Sequence, residues 1–163
     1  MILESRSLSD AHPALAEKVL LLREDFARRQ APWSLVVTSV WRDPRYQDAL
    51  YAQGRATPMG VNAYRTLIGL PRLSDEDAAR VVTWTRESKH TRRPSEAVDL
   101  AVALDPDGDG PSKPRIDWQD EGRYRAMGAI AEKLGLVWGG SWRKRDLCHV
   151  ELPRQSHAQA EER

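Results

Sequence analysis

Apolar positions recur along this chain with two periods, one helical and one strand-like. Leu15, Val19, Leu22 and Phe26 follow four-three-four spacing, which lays one apolar stripe along a helix over about 10–30. Asp10 can cap that helix, and Pro13 is tolerated within its first turn. The β-branched run over 34–40, bounded by Pro32 and Asp43, reads as a strand. Asp43-Pro44 then opens a second helix, and Gly54 ends it in the left-handed manner. Residues 55–73 hold Pro58, Gly60, Gly69 and Pro71 and predict loop. Ser74 with Asp77 has the form of a capping box and starts a short helix through about Thr85. Ala97–Leu104 reads as a strand, with Ala97, Asp99 and Ala101 on one face and Val98, Leu100 and Val102 on the core face. Residues 105–114, rich in Pro, Gly and Asp, form a turn. A helix over 120–134 directs Tyr124, Met127, Ile130 and Leu134 inward and stops at Gly135. Short strands over 136–138 and 148–152 flank the Gly139-Gly140 turn. Helices and hairpin-like strands mix without βαβ alternation. The pattern therefore predicts an α+β fold, one domain with a small antiparallel sheet flanked by helices. That domain is expected over 1–153, with a polar, flexible tail over 154–163.

Composition narrows the field. A chain of 163 residues suits one domain and buries roughly two-thirds of its unfolded surface without a disulfide scaffold. Its single cysteine, Cys148, gives no sign of an oxidising compartment. The 25 Lys and Arg nearly cancel the 24 Asp and Glu, which argues against a general nucleic-acid binder. The first ten residues carry no apolar core of signal-peptide length, and no apolar run approaches the roughly 20 residues of a membrane helix. The expected product is a soluble monomer made in the cytoplasm, with no stable membrane association.

The densest chemistry lies in W-G-G-S-W-R-K-R-D-L-C-H-V-E over 138–151 and S-K-H-T-R-R-P-S-E-A-V-D-L over 88–100. His90, Asp99 and His149 make two imidazoles and one carboxylate, a set that leaves the fourth position of a zinc ion open for water. An open position distinguishes a hydrolytic zinc from a structural one. Alone, Asp99 would be an ordinary solvated strand residue and His149 an ordinary hydrogen-bonded histidine. Two histidines, each near a carboxylate on segments able to pair in one sheet, favour the ligand reading. Zinc lowers the pKa of its water to about 7, and a nearby carboxylate can take the proton and pass it to a leaving amine. Asp146 is placed for that task. Glu151, on the same strand face as His149, can accept a hydrogen bond from the imidazole and fix its tautomer. Spacing alone leaves the reverse assignment open, with Glu151 as base and Asp146 structural.

These segments resemble the zinc family of D-alanyl-D-alanine carboxypeptidases and L-alanyl-D-glutamate peptidases that act on bacterial peptidoglycan. The family pattern is S-x-H, a short loop, A-x-D, W-G-G-x-W and D-x-x-H, matched by Ser88, His90, Ala97, Asp99, Trp138–Trp142, Asp146 and His149. The resemblance implies a hedgehog/D,D-peptidase-like fold with one Zn2+ on the sheet, held by His90, Asp99 and His149, and Asp146 as catalytic base. S-V-W-R-D-P-R-Y-Q-D-A-L-Y-A-Q-G-R over 39–55 is similar to the family's substrate-side segment. There Arg42 would hold a substrate carboxylate or the oxyanion, Gln47 would assist, and Ser88 would touch the peptide. The match covers roughly 34–152. It departs in a His90–Asp99 loop two residues longer than the commonest form, in the glycine replaced near Ser95, and in Glu96 before Ala97. The W-G-G-x-W segment is the mark of the L-alanyl-D-glutamate branch, found in phage endolysins, which accumulate in the host cytoplasm and reach the wall through a holin.

The resulting expectation is an L-alanyl-D-glutamate endopeptidase cutting the peptidoglycan stem peptide. The alternatives are a D-alanyl-D-alanine carboxypeptidase and a wall-binding module that keeps zinc without turnover. A nucleic-acid binder using Arg143-Lys144-Arg145 and the tryptophans is the weakest. Arg42 could merely pair with Asp43 or Asp48. Trp41, Trp138 and Trp142 are expected to divide between core and substrate wall. Asp105, Asp107 and Asp109 imitate the start of a calcium loop, but Ile116 stands where its bidentate glutamate belongs. Cys148, pointed away from His149 by strand alternation, is expected to be buried and inert.

Overall fold

The computed structural model describes residues 2–104 and 114–154. The acidic turn with Asp105, Asp107 and Asp109, and the tail beyond Arg154, lie outside the described residues. The chain forms the expected α+β domain with small antiparallel sheets. Within it two compact units are distinguished: Met1–His12 with Val37–Val98, and Pro13–Val36 with Asp99–Arg163.

In the first unit, β1 (Glu4–Ser5) pairs antiparallel with β3 (Trp41–Arg42), setting Glu4 opposite Arg42. Helix α2 (Pro44–Ala52) starts as its sequence dictates, the Asp43 side chain accepting the Arg45 N–H and Pro44 occupying the first turn. The stretch 55–73, expected to be loop, instead contains α3 (Pro58–Leu67). Thr57 caps it by accepting the Gly60 N–H, so Pro58 stands at a helix start, where its missing N–H costs nothing. Helix α4 (Asp75–Ala78) is capped by Ser74 as expected but stops well short of Thr85. Two features explain the early end. Val81-Val82-Thr83 is β-branched and unfavourable to helix, and Gly54 packs so tightly on Val81 that a Cβ there would lie 2.5 Å from Val81 Cγ2.

The second unit holds most of a five-stranded sheet ordered β2 (Trp33–Ser39), β4 (Ala97–Leu104), β7 (His149–Glu151), β6 (Val137–Trp138), with β5 (Arg115–Ile116) also on β4. Two of its pairings are antiparallel: Ala103 opposite Ile116, and Val137 opposite Glu151. Helix α1 (Pro13–Gln30) buries Leu15, Val19, Leu22 and Phe26 completely, the predicted stripe, and packs on α5 (Glu121–Lys133). It begins three residues later than expected; Asp10 sits in a 3-10 turn and accepts the Ser5 hydroxyl at 2.5 Å. Asp120 caps α5, whose Tyr124, Met127 and Ile130 turn inward, while Leu134 at the helix end is only half-buried. Strand β4 is buried on both faces, and Asp99 is only 7% exposed. The spacious notch expected beside Asp99 is therefore a closed environment, in which a carboxylate needs partners.

Candidate metal centre

His90 is set by its backbone. Ser88 caps the 3-10 turn Lys89–Thr91, its hydroxyl accepting the His90 N–H at 3.3 Å. The His90 Nδ1 lies 2.7 Å from the Val40 carbonyl oxygen. A carbonyl only accepts, so Nδ1 carries a proton and Nε2 is the nitrogen left for another partner. Ser95 donates its hydroxyl to the same carbonyl at 2.7 Å, tying the loop between His90 and β4 to this point. Two residues past Val40, Arg42 directs Nε to the Ser39 hydroxyl at 3.0 Å, with Glu4 Oε1 at 3.6 Å. Its Nη1 reaches Gln47 Oε1 at 3.5 Å. Gln47 is buried and donates Nε2 to the Thr85 carbonyl at 2.7 Å. Asp43 and Asp48 pair with Arg45 and Arg86.

Asp99 and His149 meet inside the second unit. His149 Nδ1 stands 3.1 Å from Asp99 Oδ1, and its Nε2 stands 2.9 Å from Glu151 Oε2. Strand alternation, which puts residues 149 and 151 on one face of β7, produces the second contact. Burial alone would pull the imidazole down, but the hydrogen bonds to Asp99 and Glu151 outweigh it and push His149 up to about 9. Trp142 packs over His149 with ring centroids 4.9 Å apart.

The glycines of W-G-G-S-W explain how Asp146 is delivered beside this pair. A Cβ at Gly128 would lie 2.2 Å, and one at Gly140 2.1 Å, from the nearest ring carbon of Trp138, which donates Nε1–H to the Leu147 carbonyl at 2.8 Å. A Cβ at Gly139 would lie 2.5 Å from the Asp146 carbonyl oxygen. The Gly139 carbonyl accepts the Asp146 N–H at 3.0 Å, and the Asp146 carbonyl accepts the His149 N–H at 3.3 Å. The Asp146 side chain remains exposed. Its Oδ1 accepts the Cys148 thiol at 3.2 Å. Cys148 is thus neither fully buried nor remote from the acids. Strand β7 begins at His149, so the alternation argument does not reach it.

His90 is set in the first unit, while Asp99 and His149 meet in the second. Among the described residues of the second unit, Asp99, Asp146 and Cys148 each offer one possible ligand atom, and the three atoms lie within 4.8 Å of one another. Two imidazoles and a carboxylate are the donors zinc takes in hydrolytic sites, and His90, Asp99 and His149 are all buried, so the residues present fit that ion. The hold on a positive charge at His149 points the same way. Of the substrate-side residues, Arg42 and Gln47 are joined to each other, and Ser88 is joined to His90. Glu4, Ser39, Ser95 and Cys148 support the site without having been expected there; Glu4 and Ser39 lie in strands whose partners no local pattern reveals.

Residues 82–152 match the model of a family described as D-alanyl-D-alanine carboxypeptidase. The chain is also 26% identical, over 152 residues, to the peptidoglycan L-alanyl-D-glutamate endopeptidase CwlK of Bacillus subtilis (strain 168), an alignment covering 88% of this chain and 74% of that protein. Both comparisons point toward the peptidase family that the motifs suggested.

Proposed function

We propose that this chain belongs to the D-alanyl-D-alanine carboxypeptidase and L-alanyl-D-glutamate peptidase family, that it is a zinc-dependent peptidoglycan hydrolase, and that it cleaves the L-alanyl-D-glutamate bond of the stem peptide. The observation that carries the proposal is the buried His149, held between Asp99 and Glu151 in a closed setting that attracts a cation. The likeness to an endopeptidase of that specificity supports the choice of bond.

His90 would hold the ion through Nε2, because Nδ1 is committed to the Val40 carbonyl. His149 would hold it through Nδ1, the nitrogen facing Asp99, while Glu151 keeps a proton on Nε2 and so fixes the tautomer. Bound zinc supplies Lewis acidity, acidifying a water and polarising the scissile carbonyl. Asp146 takes the water's proton and returns it to the leaving amine. Its exposure suits that shuttle, and the Cys148 thiol holds one carboxylate oxygen in place. Glu151, engaged with His149, is poorly placed to do the same work, which favours Asp146 as base. Arg42, steadied by Ser39 and Gln47, would receive a substrate carboxylate or the developing oxyanion, and Ser88 the peptide backbone.

A second reading, removal of a terminal D-alanine, is favoured by the description of the matching family model. Digestion of purified peptidoglycan followed by mass spectrometry separates the two. The endopeptidase leaves new amino-terminal D-glutamate, whereas the carboxypeptidase releases free D-alanine. Insoluble wall that binds the zinc-loaded protein without releasing either would show a binding module instead. No helix among the described residues is long and apolar enough to cross a membrane. Release to the wall through a holin, as phage endolysins achieve it, is the route that the W-G-G-S-W segment suggests.

A further inference from the structure

A groove along α2 lies outside the reaction as written. Asp48, Tyr51, Ala52 and Arg55 recur at helical spacing and line one side of a cavity of about 370 Å3, closed by Tyr64 and Arg86. Its walls are fastened at both ends. Gln53 Nε2 donates to the Asp77 carbonyl at 3.1 Å and the Gly54 N–H to the Ala78 carbonyl at 2.9 Å. At the other end Gln47 grips the Thr85 carbonyl, so the segment carrying Trp84 and Arg86 is held against α2. The two arginines differ. Arg86 is neutralised by Asp48, with Nε 2.9 Å from Oδ1. Arg55 spends one N–H on the Tyr51 carbonyl, and its guanidinium carbon lies 4.0 Å from the Tyr51 ring centre and 5.7 Å from that of Trp84. Among the described residues no carboxylate is paired with it. A guanidinium held against aromatic rings has its remaining N–H groups ready as a fork for a carboxylate.

We propose that this groove is a second substrate subsite, in which Arg55 takes a free carboxylate of the peptide three or four residues away from the group held by Arg42. The inference rests on the peptidase reading above. Arg42 precedes α2 and Arg55 follows it, and the nine residues of that helix span roughly 13 Å at helical rise. An extended peptide covers that length in about three to four residues. The tyrosines and Trp84 supply apolar surface for the intervening chain, and the cavity has the volume of a small-molecule site.

The probe is an L-alanyl-D-glutamyl tetrapeptide with its terminal carboxylate free or amidated. On the wild-type zinc enzyme, amidation should raise KM about tenfold with kcat little altered, the loss of one charge-assisted contact. In Arg55→Gln the two peptides should show KM values within about twofold of each other. A wild type indifferent to amidation, or an Arg55→Gln enzyme that still discriminates tenfold, overturns the proposal. Calorimetric binding of the same two peptides is read independently of cleavage. Tenfold weaker binding of the amidated peptide by wild type alone supports the subsite even if hydrolysis fails, whereas equal or absent binding removes it. Failure of cleavage alone counts against the peptidase reading.

Discussion

His90 and His149 are both buried imidazoles, yet they sit in opposite electrical surroundings. His90 gives its Nδ1 proton to a neutral carbonyl, and a serine hydroxyl shares that oxygen. His149 lies between two carboxylates, one on each ring nitrogen. The first arrangement fixes a tautomer and leaves net charge unchanged. The second leaves an excess of negative charge in a closed space, which a proton or a cation can relieve. One histidine is held as a rigid donor, and the other belongs to a region built to attract positive charge.

The largest expected effect concerns the acid beside His149. Asp146→Ala should lower turnover by roughly 10²–10⁴ while zinc content and fold persist. Undiminished turnover would assign the base elsewhere. The next largest separates the two histidines by pH. In chelator-treated protein, the raised value of His149, about 9 against an ordinary 6.5, makes its proton a source of stability. That stability is complete below pH 6.5 and fades as pH rises through 9, about 3 kcal/mol in all. Urea unfolding at pH 6 and pH 10 reads it, and the zinc-loaded protein should show little of this loss because the ion takes the proton's place. A flat profile without metal would erase the contrast with His90. Glu151→Gln should weaken zinc binding about 10- to 100-fold, the usual cost of losing the partner behind a ligand imidazole. The smallest effect lies on the His90 side. Ser95→Ala removes a hydroxyl that donates to the Val40 carbonyl and accepts the Ala97 N–H, about 1–2 kcal/mol of stability, and should leave zinc affinity nearly unchanged.

The same contrast shows what the sequence could reveal. The apolar stripe of α1, strand β4 and the cap of α2 were all legible, because period and capping chemistry are local. The placing of His149 with Glu151 followed from strand alternation. What escaped depends on distant parts of the chain. Thr57-Pro58 opens a helix, although proline and glycine counts suggested a loop. Trp138 needs Gly128 as well as Gly140, and only packing brings a helix glycine to a strand tryptophan. The two-residue strand holding Glu4 is too short for any periodicity to announce, so the carboxylate near Arg42 was invisible. Cys148 was misjudged because one residue decides whether it belongs to the strand or to the turn before it. The Val40 carbonyl that orients His90 carries no side-chain signal at all.

The most direct measurement is zinc stoichiometry and hydrolysis of purified peptidoglycan for wild type and for His90→Ala, Asp99→Ala and His149→Ala, before and after chelation and zinc return. The account predicts one ion per wild-type chain, activity abolished by chelation and restored by zinc, and markedly weakened metal binding in each variant. A wild type that hydrolyses the wall at full rate without bound metal, or three folded variants that each still hold one ion tightly, would contradict it.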